Sequence, residues 1–227
     1  MKNPEHIGII VDGNRRWAKE RGLFPFQGHQ KGLETVKKII AHAQKEGVAM
    51  LTLFIFSTEN WKRSKEEIKV FMGLIDKFFK NEFKNKKNPL FERIKIKVVG
   101  RRDDLSSKLK NIIKEVESST KDNRGMILNL AFNYGGRDEI VYAMQKISKE
   151  GTSPDNITVE LVQKHMMVPD LDIIIRTGKE QRISNFFIWQ AAYSELFFLN
   201  KYWPEFNEKD FTAVLIDYAK RQRRFGK

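Results

Sequence analysis

Six short apolar runs alternate with amphipathic segments along the chain, and this alternation constrains the fold more than any other sequence feature. Within the amphipathic segments, apolar residues recur at intervals of three to four, the period of a helix with one buried face. Strands that alternate with helices predict an α/β fold, with a mainly parallel, roughly six-stranded central sheet flanked by helices. The predicted strands are residues 6–11, 50–56, 94–99, 126–132, 171–175 and 195–199, and the predicted helices are residues 29–46, 65–83, 105–118 and 137–149.

The whole chain, residues 1–227, is predicted to form one domain. A chain of this length suits a single α/β domain of the larger sort. Apolar residues make up 41% of the sequence, which is enough for a sizeable core and argues against extensive disorder. The sequence shows no internal repeat, low-complexity segment or convincing linker, and residues 151–156 are typical of a surface loop.

Cysteine usage and hydropathy favour a cytoplasmic protein. The sequence has no cysteine, which excludes disulfides, thiolate metal sites and cysteine nucleophiles. No apolar run approaches the roughly 20 residues that a helix needs to span a bilayer. No charged segment followed by an apolar run and small residues indicates a secretory signal. We therefore expect a cytoplasmic location.

The charge balance favours an anionic partner. The formal net charge is +13, from 42 lysines and arginines against 29 aspartates and glutamates. Such a balance suits nucleic acid, anionic lipid head groups or small molecules that carry phosphate. Part of the lysine excess, as in residues 80–87, is typical of a solvated surface. The 17 phenylalanines exceed what a core alone suggests, and some of them are expected to line an apolar cavity.

Four polar clusters follow the ends of predicted strands. In a parallel sheet the carboxyl ends of the strands share one edge, and ligands bind beyond that edge. The four clusters are therefore expected to meet there. Glu195 opens the last predicted strand, so it is expected at the opposite end of the sheet or at a lateral edge. The clusters are residues 12–17 (DGNRRW), 57–63 (STENWKR), 133–137 (NYGGR) and 176–184 (RTGKEQRIS).

The first cluster has the chemistry of a diphosphate site. Backbone N–H groups at a helix start bind phosphate, and the two arginines offer forked donors that match phosphate oxygens. Asp12 fits such a site if it holds Mg²⁺, which prefers carboxylate and phosphate oxygens. An alternative interpretation is that Asp12 only caps the helix and that the arginines are solvated.

The remaining clusters also allow structural interpretations. Ser57 or Thr58 could cap the following helix, the 176–184 segment could be a charged loop, and His29, at the predicted start of a helix, could be a cap or a packing residue. Asp103 and Asp104 are interpreted as a helix start, since no third carboxylate completes a metal motif. The sequence contains neither G-x-x-x-x-G-K-[ST] nor G-x-G-x-x-G, so the usual nucleotide-binding loops are missing.

Taken in order, these motifs resemble those of the cis-prenyltransferases of the undecaprenyl diphosphate synthase family. The resemblance extends from residue 6 to residue 226 and rests on DGNRRWA, FSTENW, NYGGR, RTG, RISNFFIWQ and the closing RRFG. It implies a homodimeric enzyme with a parallel sheet and a hydrophobic tunnel for the growing chain. It also implies a Mg²⁺-dependent addition of isopentenyl diphosphate to an allylic diphosphate, such as farnesyl diphosphate, with new cis double bonds.

The resemblance further implies that the product is an undecaprenyl-type carrier-lipid precursor for cell-wall glycan synthesis. Alternatives are a shorter-chain synthase of the same class and a non-catalytic partner subunit of such an enzyme. A nucleic-acid-binding role is disfavoured, because two anionic substrates account better for the arginines and Asp12. A basic surface and an apolar product make peripheral attachment to a membrane a further expectation.

The resemblance assigns roles to individual residues. It makes Asp12 a catalytic residue and Mg²⁺ ligand, Asn60 a catalytic residue that helps to remove a proton, and Glu195 a metal ligand that reaches across the dimer. The RRFG tail is expected to pack over the partner's site. The residues implied in binding the two substrates are Gly13, Asn14, Arg15, Arg16, Trp17, His29, Ser57, Thr58, Glu59, Trp61, Arg63, Arg176, Arg182, Ile183 and Ser184.

Four positions depart from the family pattern. Pro25 stands where an arginine is usual, so one phosphate contact is missing or is supplied by Lys19 or Arg21. Lys179 replaces a glycine, and Gln181 stands where some members have histidine. Ile55 occupies a position that is often alanine, and a larger side chain facing the tunnel would favour shorter products.

Overall fold

The computed structural model describes residues 4–83, 90–103 and 105–221, and its centre is a six-stranded sheet. All neighbouring strands in this sheet are parallel, which confirms the predicted fold class. Each observed strand begins and ends within two residues of its prediction. The strands are β1 (His6–Ile10), β2 (Met50–Ser57), β3 (Lys95–Val99), β4 (Ile127–Tyr134), β5 (Ile173–Arg176) and β6 (Glu195–Phe198).

Helices connect most of the strands, as parallel pairing requires. Short 3-10 helices cover residues Thr58–Lys62, Pro154–Asn156 and Trp203–Glu205. The α-helices are α1 (Asn14–Lys19), α2 (Pro25–Lys45), α3 (Lys65–Phe83), α4 (Ser107–Thr120), α5 (Gly136–Lys149), α6 (Val159–Lys164) and α7 (Glu208–Lys220). In the described part of the chain, no helix is both long and apolar enough to cross a membrane.

The strand order is β3-β4-β2-β1-β5-β6, which places β1 in the interior between β2 and β5. Ile10 at the end of β1 is in register with Phe54 of β2 and Arg176 of β5. The residues that follow these three strands therefore emerge side by side, and the polar clusters after β1, β2, β4 and β5 share one edge, as predicted. We call this edge the carboxyl edge and the opposite one the amino edge.

Side chains on the two faces of the sheet pack against different layers. Ile7 and Ile9 of β1 belong to the larger core, which also contains buried residues of α2, α3, α4 and α7. Ile10, one position on, belongs to a second cluster with Phe186 and Phe187, which lie in the loop before β6. This alternation is the two-residue period expected of a strand buried on both faces.

A β-bulge interrupts β2 where it approaches the carboxyl edge. The pairing of β2 with β4 changes register between Phe54 and Phe56. Phe54 belongs to the second cluster, whereas Ile55 and Phe56 both contact the larger core, so the bulge turns two successive side chains toward one face. Bulges of this kind are common beside active sites because they redirect side chains.

Two predicted helix starts were wrong. Helix α2 begins at Pro25 rather than at residue 29, because proline suits the first helical position and Gln27 bonds the Phe24 backbone N–H. Helix α4 begins after Ser106, whose hydroxyl caps Leu109, so Asp103 lies before the helix. Asp104 and the RRFG tail, residues 223–226, lie outside the described residues.

Candidate active site

Two adjoining cavities lie at the carboxyl edge. The main cavity has a volume of about 530 Å³ and extends from Asp12 and Arg176 to apolar side chains beneath them. An outer cavity of about 610 Å³ adjoins it and is lined by α1 and the start of α2. The main and outer cavities share a wall. Arg15, Arg16 and Lys19 line the outer cavity in addition to the shared residues. The shared residues are Val11, Asp12, Asn14, His29 and Arg63.

The main cavity continues inward into an apolar space. A third cavity of about 30 Å³ lies between the sheet, α2, α3 and α4, and its exposed lining is entirely apolar. Leu33, Val36, Ile55 and Ile75 line both this space and the main cavity, so the two are contiguous. The site therefore has a polar mouth and an apolar interior, which suits a ligand with a charged head and a hydrocarbon tail.

Asp12 lies at the centre of an ion-pair network in the polar mouth. Its Oδ2 atom is 2.8 Å from Arg176 Nη2 and 3.1 Å from Arg16 Nη2. Gly13 follows with a φ of 102°, a left-handed conformation that glycine adopts without strain, and it starts α1 directly after the strand. The local backbone thus brings the carboxylate and the Arg16 guanidinium of α1 into contact.

The arginines of the mouth are held by carboxylates on both sides. Glu180 lies 2.7 Å from Arg16 and 2.6 Å from Arg182, so it connects the first and the last polar clusters. Burial lowers the pKa of Arg16, but the Asp12 and Glu180 carboxylates outweigh it and the pKa is raised overall. Arg176 is buried and donates to the carbonyl of Arg182 and to Ser184 Oγ, the latter at 2.7 Å.

The second polar cluster, residues 57–63, lies across the main cavity from Asp12. Ser57 N donates to Asn60 Oδ1 at 3.2 Å, so Asn60 stabilises the turn after β2 and Ser57 precedes the 3-10 helix as its cap. Arg63 and Arg15 both pair with Glu67 of α3, at 3.3 and 3.2 Å. These contacts place two more guanidinium groups at the wall that the two cavities share.

Three buried polar atoms at this site have no hydrogen-bond partner among the described residues. They are Asn14 Oδ1, His29 Nε2 and Arg176 Nε, and all three residues line the main cavity. Burial, together with the nearby Arg63 and Arg15, lowers the pKa of His29 to about 4, so its imidazole is neutral at pH 7. Because buried polar groups are normally paired, these atoms indicate a polar ligand.

The donor set fits a Mg²⁺ ion held jointly by protein and substrate. Among the described residues, no group of three histidine, cysteine, aspartate or glutamate side chains could enclose a metal ion. Mg²⁺ commonly takes one or two carboxylates together with substrate phosphates and water. Asp12, which lies beside Arg16 and Arg176 in the wall shared by the two cavities, is a carboxylate of the site that fits this pattern.

Glu195 lies at the other end of the sheet. It starts β6, in register with Ile173 and, through β5, with Ile7. Asp12 lies five positions after Ile7, which corresponds to about 16 Å along the direction of the strands. Glu195 instead pairs with Arg221 at 2.7 Å. Glu195 therefore lies where its position in the sequence predicted, at the amino edge of the sheet and in its outermost strand, β6. It is distant from Asp12 of the same chain.

The predicted residues occupy three kinds of position. Asp12, Asn14, His29, Ser57, Glu59, Asn60, Arg63, Arg176 and Ser184 line the main cavity, and Gly13, Arg15 and Arg16 line the outer one. Others lie behind or beside the cavities: the Arg21 guanidinium covers the Trp17 ring at 4.7 Å, and Trp61 donates to Asn133 Oδ1 at 2.7 Å. Arg182 is paired with Glu180 at the surface. Ile183 packs against the hydrophobic cluster that contains Ile10, Phe186 and Phe187. Thr58 starts the 3-10 helix beside Gly135.

Sequence reasoning missed two residues of this site. Glu180 and Asn185 lie within the RTGKEQRIS and RISNFFIWQ stretches, but the sequence assigned no role to them, and their contacts with residues distant in sequence identify them. Tyr202 is also close, because the Arg16 and Lys179 cations lie 5.7 and 4.3 Å from its ring centroid. Lys179, one of the departures from the family pattern, is thus held beside the mouth.

The chain is similar to known proteins in both sequence and fold. A family model described as "Putative undecaprenyl diphosphate synthase" matches residues 10–226. An isoprenyl transferase from Fusobacterium nucleatum subsp. nucleatum is 45% identical over 225 residues, which cover 98% of this chain and 96% of that protein. An isoprenyl transferase from Aquifex aeolicus is 42% identical over 231 residues, which cover 100% of this chain and 97% of that protein.

Two solved structures are similar over their full lengths. Lavandulyl diphosphate synthase from Lavandula x intermedia, in complex with dimethylallyl diphosphate, gives a TM-score of 0.92 at 35% identity, covering 99% of each chain. A probable undecaprenyl diphosphate synthase from Campylobacter jejuni gives a TM-score of 0.85 at 28% identity, covering 100% of each chain.

Proposed function

Because the chain belongs to the undecaprenyl diphosphate synthase family of prenyl-transferring enzymes, we propose that it condenses isopentenyl diphosphate with an allylic diphosphate, farnesyl diphosphate being the expected primer. The product would be a cis-polyprenyl diphosphate. The observation that carries this proposal is the junction of a cationic mouth with an apolar interior at the carboxyl edge. A diphosphate requires forked cationic donors, and a prenyl tail requires apolar walls.

The first half of the proposed site binds the allylic diphosphate and stabilises its departure. Breaking the allylic C–O bond leaves negative charge on the diphosphate, and donors fixed in advance lower that barrier because they need not reorganise. Arg15, Arg16 and the N–H groups at the start of α1 are the donors in this half, with neutral His29 nearby. Asp12 would hold Mg²⁺, which supplies Lewis-acid stabilisation of the departing diphosphate.

The second half binds the incoming isopentenyl diphosphate. Its double bond attacks the allylic carbon, a carbon–carbon bond forms, and a proton leaves the neighbouring carbon. Arg176, Arg182 and Ser184 would bind the diphosphate of this substrate, and Asn60 would help the proton to leave. Asn60 lines the main cavity beside Ser57, and Arg176 already donates to Ser184 at 2.7 Å, which supports this grouping.

A homodimer is part of the proposal. Val141 and Met144 of α5, Val159 of α6 and Leu196 of the edge strand are exposed apolar side chains, 40–66% accessible, that a second copy could cover. Glu195, which lies too far from Asp12 of its own chain, would then serve the partner's metal site. Peripheral attachment to a membrane is supported by the net charge of +13 and the apolar product, and a cytoplasmic location by the lack of cysteine.

The length of the product separates two candidate functions. An undecaprenyl-type carrier lipid, used for cell-wall glycan synthesis, is the product indicated by the family. A shorter product is favoured by one observation: Ile55, redirected by the bulge in β2, lines the inner end of the main cavity, where only about 30 Å³ of space continues inward.

The proposed reaction is tested by incubating the purified protein with Mg²⁺, labelled isopentenyl diphosphate and either farnesyl or dimethylallyl diphosphate. We expect incorporation by the wild type, near-complete loss for Asp12→Ala and full activity for Asp155→Ala, an exposed aspartate in the 3-10 helix Pro154–Asn156. Mg²⁺ removal with a chelator should also abolish incorporation. A protein that incorporates no label with either primer would be a non-catalytic subunit, contrary to the proposal.

The product ladder from the same reaction tests the chain length. If Ile55 limits the tunnel, Ile55→Ala should shift the distribution toward longer products, because it removes a branched side chain from the junction of the two cavities. Val70→Ala, at an exposed position on α3, is the matched control. Identical ladders for the wild type and Ile55→Ala would rule out this role.

A further inference from the structure

Asn185 stands at the point where the loops of the site meet. It follows Ser184 in the segment between β5 and β6 and lines the main cavity. Its φ is 63°, and the neighbouring Ser184 and Phe187 have φ values of 47° and 41°. A run of left-handed residues other than glycine is costly, and it persists only where surrounding contacts determine it. Asparagine tolerates this conformation better than most residues.

Three hydrogen bonds tie Asn185 to two other loops. The side-chain Nδ2 donates to Glu59 Oε1 at 2.9 Å, and Oδ1 accepts from the Arg137 backbone N–H at 2.9 Å. The Asn185 carbonyl accepts from the Gly136 backbone N–H at 2.7 Å. The segments after β2 and β4 are therefore both held by one residue of the segment after β5.

Glycines at positions 135 and 136 make this close approach possible. A Cβ atom on Gly135 would lie 2.7 Å from Thr58 Oγ1 and 2.9 Å from Asn185 Nδ2. A Cβ atom on Gly136 would lie 2.9 Å from Ile188 Cγ1. Such distances are too short for a real side chain, so the two glycines form a flat backbone surface on which the other loops rest. This gives NYGGR, which had no assigned chemistry, a structural role in the site.

The contact with Asn185 also acts on the charge of Glu59. Burial raises the pKa of this carboxyl, but hydrogen bonds outweigh burial and lower the pKa overall, the largest of them from the Asn185 amide. An N–H donor at this position favours the ionised carboxylate. Asn185 therefore holds in place a side chain that lines the main cavity, and its amide favours the ionised form of that side chain.

We propose that Asn185 is a positioning residue, which holds the Glu59 carboxylate and the turn bearing Ser184 against the Gly135–Gly136 backbone so that the isopentenyl diphosphate pocket is formed before substrate binds. This inference rests on the proposed function. It goes beyond it by assigning a role to a residue that is not expected to touch the reacting atoms, and by connecting the pocket to the loop after β4.

Asn185→Asp removes the donor to Glu59 and also adds one negative charge. The new side chain has the same shape and keeps the oxygen that accepts from Arg137, but it turns a second oxygen toward Glu59. We expect the affinity for isopentenyl diphosphate, measured by calorimetry without allylic substrate, to fall roughly 10- to 100-fold. The KM of the allylic substrate should change little. Asn156→Asp, the same change at the exposed end of the 3-10 helix Pro154–Asn156, is the control and should bind like the wild type.

A reciprocal exchange separates positioning from general destabilisation. In Asn185→Asp/Glu59→Gln the amide and the carboxylate trade places, so the hydrogen bond forms again with its donor reversed. We expect the double variant to recover affinity for isopentenyl diphosphate relative to Asn185→Asp, even if turnover stays low because the Glu59 charge is lost. No recovery of binding in the exchanged pair would overturn the proposal.

Asn185→Gly provides a second variant that should fold, since glycine adopts the left-handed backbone without strain. It keeps the carbonyl bond to Gly136 and removes only the side-chain contacts. Weakened isopentenyl diphosphate binding at unchanged thermal stability is expected, and wild-type affinity would contradict the proposal. A wild-type protein that neither binds nor incorporates isopentenyl diphosphate would instead refute the proposed function itself.

Discussion

A histidine with a buried Nε2 lies at each edge of the sheet, His6 in β1 at the amino edge and His29 in α2 beside the carboxyl edge, and the two differ in how they are partnered. Burial lowers the pKa of both to about 4. At the amino edge, His6 uses both ring nitrogens: Nδ1 lies 3.1 Å from the carbonyls of Pro169 and Asp170, and Nε2 lies 2.7 Å from Thr52 Oγ1. At the carboxyl edge, His29 Nε2 is buried without a hydrogen-bond partner among the described residues.

This difference teaches that burial and a shifted pKa do not identify a functional site by themselves. The carbonyls on Nδ1 fix the tautomer of His6, so Nε2 accepts from Thr52, which in turn accepts from Asn129 at 3.0 Å. That chain joins three strands and the 169–170 loop. The atoms left unpaired beside the main cavity, in contrast, are available to a ligand. Changes at the amino edge should therefore affect folding, and changes at the carboxyl edge should affect catalysis.

The largest expected contrast is between two aspartates. Asp12 follows β1 at the carboxyl edge, and Asp172 precedes β5 at the amino edge, where it accepts from the backbone N–H groups of Glu5 and His6 at 2.7 and 3.1 Å. We expect Asp12→Asn to lower kcat about a thousandfold, equivalent to about 4 kcal/mol, since it removes the charge that would hold the metal ion. Incorporation of labelled isopentenyl diphosphate measures this loss.

Asp172→Asn is the matched control for Asp12→Asn. An amide in place of the carboxylate should cost about 1–2 kcal/mol of unfolding free energy, because the two backbone N–H groups that share Asp172 Oδ2 would then bond to a neutral amide oxygen instead of a charged carboxylate oxygen. Its kcat should stay within about twofold of the wild type at a temperature where both are folded. A large loss of kcat in Asp172→Asn, with unchanged stability, would break the proposed division between the edges.

The next effect concerns stability at the amino edge. His6→Leu leaves two carbonyls and the Thr52 hydroxyl in the core without the ring nitrogens that they now contact. We expect a loss of about 3 kcal/mol in the free energy of unfolding, measured by urea denaturation, with little change in kcat. A His6→Leu protein as stable as the wild type would show that this buried chain contributes nothing to the fold.

Much of this architecture was predictable because strand and helix periods are local. All six strands and the grouping of Asp12, Ser57 and Arg176 at one edge follow from hydrophobic alternation and from the geometry of parallel sheets. The bulge at Ile55 was not predictable, since it depends on the register between β2 and β4. The start of α2 was not predictable from hydrophobic periodicity, because its first turn is set by the preference of Pro25 for the first helical position.

The contacts that complete the site were beyond sequence reasoning for a physical reason. Asn185 contacts residues 126 and 48 positions away, and Glu180 contacts Arg16 at a separation of 164. No local periodicity encodes such pairs, and they exist only once the loops of several strands have converged. Glu195 is the reverse case: its place at the amino edge was predicted from its position in β6, whereas its proposed role depends on a second chain.

The third prediction uses pH to separate the two histidines. Each has a folded-state pKa of about 4 and an ordinary unfolded value near 6.5, so between these values the unfolded state takes up protons that the folded state does not. Stability should therefore fall as the pH drops from 7 to 5, by about 2 kcal/mol for each histidine. Urea denaturation at the two pH values measures this loss.

Replacing one histidine at a time should remove its share of that loss. Between pH 7 and 5, the free energy of unfolding of His29→Gln should fall by about 2 kcal/mol less than that of the wild type. This variant should also bind the allylic substrate more weakly. His6→Leu should show the same reduced pH dependence without any change in substrate binding. Equal pH dependence in His29→Gln and the wild type would mean that His29 is not held neutral in the folded protein.

The smallest expected effect concerns Glu195, which lies at the amino edge of its own chain and is proposed to serve the site at the carboxyl edge of a partner chain. Within its own chain Glu195 makes a partly exposed ion pair with Arg221, so Glu195→Gln should change stability by less than about 1 kcal/mol. If it serves the metal site of a partner chain, activity should fall roughly tenfold, as for a supporting metal contact. Mixed dimers of Asp12→Asn and Glu195→Gln should then regain activity, because one of their two sites contains neither change. Wild-type activity in Glu195→Gln would mean that Glu195 has only a structural role. A glutamate that only pairs with Arg221 has no influence on a site about 16 Å along the sheet.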